Sequence, residues 1–90
     1  MQSINIYYKK IKDTILSIIK VNFDLFIPEE KHREHLFSKD VGLNDIALLY
    51  LVYLLEEQYK IHLTEEDFIN KDFFSINGLT NCIYHHVVTV

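Results

Sequence analysis

Apolar residues recur at spacings of three and four along most of this chain, a pattern that predicts helices. The first predicted helix covers residues 3–20 and begins with Ser3 as its N-cap. Charged residues fill the positions between its apolar residues, which predicts an amphipathic helix with one buried face. That face carries Ile4, Tyr8, Ile11, Ile15, Ile18 and Ile19.

A second helix is predicted over residues 44–59, with Asn44 as its N-cap. Asp45 then lies in the first turn, where unpaired backbone N–H groups favour a negative charge. Leu48 and Leu51 are placed at the margins of a buried stripe formed by Ile46, Leu49, Val52, Leu55 and Tyr59. Because the outward positions are also largely apolar, this helix is expected to be covered on more than one side.

Two further helices are predicted over residues 64–69 and 75–87. Thr64, followed by Asp67 three residues later, has the pattern of a capping box. Ser75 is the predicted N-cap of the last helix. That helix is expected to turn four apolar residues inward: Ile76, Leu79, Ile83 and Val87.

Residues 21–43 form a long loop between the first two helices. Pro28 and the two glutamates after it predict a short helical turn over residues 29–36. Phe37 is the residue expected to anchor the loop to the core. Taken together, the pattern predicts an all-α fold of one domain, residues 1–90, arranged as a four-helix bundle with three longer helices and one short third helix.

Composition narrows the classes of function. A chain of 90 residues with 49% hydrophobic content is long and apolar enough for a globular core. Its net charge of −4 argues against general nucleic-acid binding, and no apolar run reaches the ~18 residues of a membrane span. The first residues lack the layout of a signal peptide, so a cytoplasmic location is expected. The single cysteine excludes an intramolecular disulfide and any multi-cysteine metal site.

Several segments, in order along the chain, resemble the acyl carrier protein family. Residues 40–46 read D-V-G-L-N-D-I, which is similar to the family's D-L-G-x-D-S-L, and residues 55–63 are similar to its L-E-E-x-F-G-I-x-I. Residues 65–67 correspond to its short acidic helix, and residues 75–83 to its closing T-V-x-x-L-x-x-x-I helix. The resemblance implies the family's four-helix fold. The proteins that the chain resembles include the acyl carrier-related proteins of peptide maturation systems.

The resemblance also implies that the family's prosthetic group is missing from this chain. In the family, the serine of D-S-L carries the phosphopantetheine arm, and here Asp45 occupies that position. A carboxylate cannot form the stable phosphodiester that a hydroxyl forms, so no cofactor is expected. The alternative is a functional acyl or peptidyl carrier with an atypical attachment site, for which Ser38 in the preceding loop is the candidate.

A protein partner is therefore expected at the second helix, and the resemblance implies a biosynthetic or peptide-modifying enzyme. Aromatic residues are enriched at such interfaces, and the chain itself is expected to be a monomer or a weak homodimer. The alternatives are that loop 21–43 folds over this helix or that a permanent oligomer hides it. The predicted partner-binding residues are Asp45, Ile46, Ala47, Tyr50, Tyr53, Leu54 and Glu57.

The remaining chemically active residues predict neither catalysis nor metal binding. His32 and His35 lie about one helical turn apart, but a metal site needs three or four ligands. These histidines are therefore predicted to be surface residues, and Cys82 is predicted to be a small core residue. Because no nucleophile and base can be paired from the sequence, a non-enzymatic function is expected.

Overall fold

The structure is a computed structural model that describes residues 2–88, with the side chains of residues 6–70 and 72–88. Four α-helices run through this part of the chain: α1 (Gln2–Phe23), α2 (Asp45–Tyr59), α3 (Glu65–Ile69) and α4 (Ile76–Val88). Two 3-10 turns, Glu29–Lys31 and Lys71–Phe74, complete the regular structure, and residues 2–88 contain no strand. The all-α prediction, with a short third helix, is confirmed. None of the described helices is both long and apolar enough to cross a bilayer.

Helix α1 extends beyond its predicted limits at both ends. It begins at Gln2, so Ser3 lies inside the helix and the prediction of Ser3 as N-cap is wrong. At the other end it continues to Phe23, and Asp24 then takes a left-handed conformation with a φ of 52°. Asn22 supports the added turn by donating a hydrogen bond of 2.9 Å to the carbonyl of Ile18.

The core lies where α1 packs against α4 and α2. The predicted inward residues Ile11, Ile15 and Ile19 of α1 are buried, whereas Ile18 and Tyr8 are only partly buried. The Ile4 side chain lies outside the described residues. From α4, three of the four predicted residues are buried, namely Ile76, Leu79 and Ile83, and Val87 is partly buried. Each fully buried aliphatic side chain contributes about 1.5–3 kcal/mol to folding.

Helix α2 is rotated relative to the sequence prediction. Its buried residues are Leu48, Leu51, Val52 and Leu55, so the two leucines placed at the margin are core residues. Ile46 and Leu49, predicted to be buried, are 75% and 70% exposed. The prediction fails because a helix that is apolar nearly all round has no periodicity that selects one face. The buried residues of the loop before it, Val41 and Leu43, join the same core and help fix the orientation.

Residues 24–43 are held by backbone hydrogen bonds and by a different anchor from the one predicted. Phe37 is 46% exposed, and its neighbour Leu36 is fully buried instead. The amide of Leu36 donates to the carbonyl of Phe74 (2.8 Å), and the amide of Leu43 donates to the carbonyl of Leu36 (2.9 Å). The predicted helical turn over residues 29–36 shortens to the 3-10 turn Glu29–Lys31.

His32 is a buried residue of this loop, which contradicts the prediction of a surface histidine. It is 6% exposed, and its Nε2 lies 2.9 Å from the carbonyl oxygen of Ile27. Its own carbonyl accepts a hydrogen bond of 3.0 Å from the amide of Asn77 at the start of α4. A side-chain contact with Ile27 and a main-chain hydrogen bond from Asn77 therefore tie His32 between the loop and α4. His35 is exposed, as predicted.

The predicted caps of the other three helices are confirmed. Asn44 Oδ1 accepts from the amide of Ala47 at 2.8 Å, and Ser75 Oγ accepts from the amide of Gly78 at 2.9 Å. Thr64 and Asp67 form the capping box at the start of α3, with the amide of Thr64 donating to Asp67 Oδ2 at 2.8 Å. Local side-chain chemistry is thus sufficient to mark where these three helices begin.

The Asn44 cap gives a first testable prediction. Asn44→Ala is expected to lower the free energy of unfolding by about 1 kcal/mol, because the Ala47 amide loses its acceptor. Asn44→Asp keeps an acceptor and is expected to preserve the stability of the wild type. Urea denaturation of the three proteins measures this, and equal midpoints for the wild type and the alanine variant would contradict it.

Candidate functional site

Four large apolar side chains are exposed along one side of α2, and we call them the α2 patch: Ile46, Leu49, Tyr50 and Tyr53. Positions 46 and 49 and positions 50 and 53 are three residues apart, and each of the first two is four residues from one of the last two, so all four lie on one helical face. The two tyrosines are about half exposed, and their rings stack with centroids 6.4 Å apart. The patch is therefore a continuous apolar stripe directed away from the core.

The α2 patch exists because the helix has more apolar surface than the fold can cover. One side of α2 supplies Leu48, Leu51, Val52 and Leu55 to the core. The opposite side has no described element lying over Ile46 and Leu49, the two most exposed members of the patch. A contiguous exposed apolar stripe is typical of a site where another protein binds.

The first loop does not cover the patch. Phe23, the last residue of α1, contacts Tyr50 in a T-shaped arrangement with ring centroids 6.1 Å apart. Beyond it, Ile27 is buried in the main core, and Phe26 is 77% exposed in a surface pocket that residues of α1 also line. The loop therefore contacts the patch through its junction with α1 and leaves the N-terminal half of the patch open.

Acidic residues stand at both ends of the patch. Asp45 is exposed in the first turn of α2, as predicted, and its carboxylate accepts from the amide of Ile46 at 2.9 Å. Glu57 is exposed one turn beyond Tyr53. Helix α2 contains no basic residue. An apolar surface flanked by Asp45 and Glu57 is electrostatically suited to a partner groove with a basic rim.

The structure changes the membership of the site predicted from the sequence. Asp45, Ile46, Tyr50, Tyr53 and Glu57 are exposed as a docking role requires. Ala47 is partly buried against the core and Leu54 is also only partly exposed, so both contribute less than predicted. Leu49 was missed, because the same spacing argument had placed it inside.

A second group of reactive side chains gathers where α3 meets α4. Asp67 of α3 and Cys82 and His86 of α4 bring one ligand atom each to within 4.8 Å of the others. His86 Nε2 lies 3.0 Å from Asp67 Oδ2, and the Cys82 thiol is hydrogen-bonded to the same carboxylate. The group borders an open pocket of about 500 Å³. The sequence prediction missed this group, although the four-residue spacing of Cys82 and His86 was a visible signal.

The carboxylate at the centre of this group is stabilised in its charged form. Burial of Asp67 favours protonation, but hydrogen bonds from the Thr64 amide, His86 and Cys82 outweigh that effect. The pKa of Asp67 therefore lies below its ordinary value. For Cys82, burial and then the adjacent Asp67 charge raise the pKa to about 12. The thiol is thus protonated near neutral pH, unlike the activated thiolates of catalytic cysteines.

Comparison with known proteins adds no family assignment. Neither protein-family models, nor curated proteins, nor solved structures give a significant match to this chain.

Proposed function

We propose that this chain is a non-enzymatic, acyl-carrier-like interaction module that docks through α2 to a biosynthetic or peptide-maturation enzyme. The observation that carries the proposal is the α2 patch, an apolar stripe that the fold leaves exposed. The order of a long α1, a long loop, α2, a short α3 and α4 is in keeping with the acyl carrier resemblance of the segments between residues 40 and 83. The partner is expected to present an apolar groove with basic residues at its rim.

The absence of a phosphopantetheine arm is part of the proposal. Asp45 stands at the first position of α2, where the resemblance implies the modified serine. Ser38, the candidate for an atypical attachment site, is partly buried in its loop. Its hydroxyl oxygen accepts from the amide of Val41 at 3.3 Å and lies 3.5 Å from a Glu34 carboxylate oxygen. A hydroxyl occupied in this way is a poor substrate for a transferase that acts on exposed serines.

Incubation with coenzyme A and a promiscuous phosphopantetheinyl transferase tests whether the chain can carry a phosphopantetheine arm. The intact mass of the protein is expected to stay unchanged, while a carrier protein with its serine is modified in the same reaction. Addition of an arm to Asp45 or Ser38 would replace the proposal with its alternative, a working carrier with an atypical site.

Docking is tested with a pair of matched variants, against each biosynthetic or peptide-modifying enzyme that a survey of the neighbouring genes identifies. Tyr50→Glu is expected to weaken binding about 30-fold or more, since a buried aromatic contact at an interface contributes about 2 kcal/mol or more. Tyr7→Glu is the control, because Tyr7 is an exposed tyrosine of α1, remote in sequence from the α2 patch. Isothermal titration calorimetry measures both, and circular dichroism verifies the fold. Equal loss in the two variants would contradict docking at the patch.

A permanent oligomer that buries the α2 patch is the second candidate function. It is favoured by the same exposed side chains, but a symmetric pairing of two patches would bring the acidic residues of α2 toward each other. Light scattering across a dilution series distinguishes the two. A constant mass above that of one chain would favour the oligomer over a monomer that binds an enzyme.

A further inference from the structure

We propose that Asp67, Cys82 and His86 form a binding site for a zinc-class divalent cation. The three side chains converge from two helices that are separate in sequence, and their ligand atoms lie within 4.8 Å of one another. Cys82 and His86 are one turn apart on α4, so both face the same direction. Asp67 reaches them from the capping box of α3. This placement requires the turn Lys71–Phe74, which packs against both α3 and α4, and is independent of the α2 patch.

The types of ligand identify the class of ion. Sulfur, imidazole nitrogen and carboxylate oxygen together are a zinc donor set, whereas calcium and magnesium prefer oxygen ligands alone. Zinc bonds of about 2.0–2.3 Å place the ligands of a tetrahedral site about 3.3–3.8 Å apart. The observed spread of up to 4.8 Å therefore closes with side-chain shifts of about 1 Å. Three protein ligands leave a fourth position for water.

The surroundings of the three residues suit a bound cation. The side chains of Asp67 and His86 are 21% and 28% exposed, and Cys82 is partly buried, so the group is sheltered but still reached from solvent. The pocket beside it is also lined by Glu66 and Asp72, which add negative charge along the approach. The Thr64 amide, 2.8 Å from Asp67 Oδ2, holds the carboxylate in place in the way that outer hydrogen bonds orient metal ligands.

The competing explanation is that this group only stabilises the start of α3. In that case Asp67 is a capping residue, His86 contacts its carboxylate, and Cys82 interacts with it only as a neutral thiol. The two explanations differ at Cys82, since only a metal site uses its thiolate. They also differ in pH dependence, because the ion must displace a thiol proton and binding therefore strengthens as the pH rises.

Titration of the full chain with Co²⁺ under reducing conditions tests the proposal, because cobalt reports its ligands by absorbance. The expected result is saturation at one ion per chain, with a sulfur-to-cobalt charge-transfer band in the near ultraviolet. Cys82→Ser is expected to abolish that band, and His86→Gln to weaken binding at least about 10-fold. His62→Gln is the control, since this exposed histidine lies outside the group.

The outcomes that overturn the proposal are equally specific. If titration of the wild type gives no thiolate-to-cobalt band, Cys82 does not bind the ion. If His86→Gln binds Co²⁺ with the affinity of the wild type, the three residues do not act together. Circular dichroism of each variant verifies that a lost band reflects a lost ligand. As a second measurement on the unmodified chain, Zn²⁺ is expected to displace Co²⁺ and to raise Tm. Failure of Zn²⁺ to do either would also overturn it.

Discussion

Replacing Leu51 by alanine is expected to lower the free energy of unfolding by about 2–5 kcal/mol. The same replacement at Leu49 is expected to change it by less than about 0.5 kcal/mol. Leu51 is fully buried in the core, whereas Leu49, two residues earlier on the same helix, is 70% exposed. The pair is closely matched, because both leucines have the same chemistry, helix and propensity cost. The difference between them isolates burial.

Urea denaturation with a common m value measures both variants. The sequence prediction, which placed Leu49 in the core stripe and Leu51 at its margin, requires a larger loss at Leu49. A larger effect of Leu49→Ala than of Leu51→Ala would mean that α2 is rotated from the position described above. The residues of the α2 patch would then not be exposed together, and the docking proposal that rests on them would be wrong.

Gly78→Ala is expected to destabilise the protein by about 3 kcal/mol or more, although alanine is the better helix former. A Cβ atom at Gly78 would overlap the backbone carbonyl of Asp72 and come within 3.1 Å of the Phe73 Cα. Backbone atoms of the turn Lys71–Phe74 cannot move aside as the end of a flexible side chain can. The close approach of α4 to this turn therefore requires glycine.

Thermal unfolding is the simplest measurement of this prediction. A loss of 3 kcal/mol corresponds to a fall in Tm of about 12–24 °C for a domain of this size. Asn81→Ala is the control, because Asn81 is exposed on the same helix and its replacement is expected to give a small gain. If Gly78→Ala also raised Tm, α4 and the turn would not be in contact as described.

Local features of this fold could be predicted from sequence, and the reasons are chemical. The caps at Asn44, Thr64 and Ser75 depend on side chains that bond amides three residues away. Such contacts lie within a few positions of the chain and leave a clear signature. The inward face of α1 was equally clear, since charged residues exclude the other faces.

The orientation of α2 and the anchor of the first loop could not be predicted in the same way. Both choices were between neighbouring apolar residues, Leu48 against Leu49 and Leu36 against Phe37. Hydrophobicity does not separate such pairs, and the long-range packing of the core decides between them. Choosing the wrong member of such a pair assigns an exposed residue to the core and a buried residue to the surface.

In the candidate sites, too, local sequence predicted some features and long-range packing decided the others. Exposure of Tyr50 and Tyr53 followed from their place opposite Val52 and Leu55, while Leu49 was assigned to the wrong side. The group of Asp67, Cys82 and His86 depends on how the turn Lys71–Phe74 places α3 beside α4, and only the spacing of Cys82 and His86 within α4 is visible in the sequence. Side chains that meet through tertiary contacts need the fold before they can be recognised.

Besides its buried side chains, the long loop between α1 and α2 is held by hydrogen bonds between main-chain atoms, which has a consequence for its evolution. The amides of Leu36, Leu43 and Asn77 donate to carbonyls of Phe74, Leu36 and His32. Every residue type except proline offers the same amide. The exposed positions of this loop are therefore free to diverge while its path is retained, and proline is the one residue excluded from the three donor positions. Related chains are expected to share the course of this loop even where they share little of its sequence.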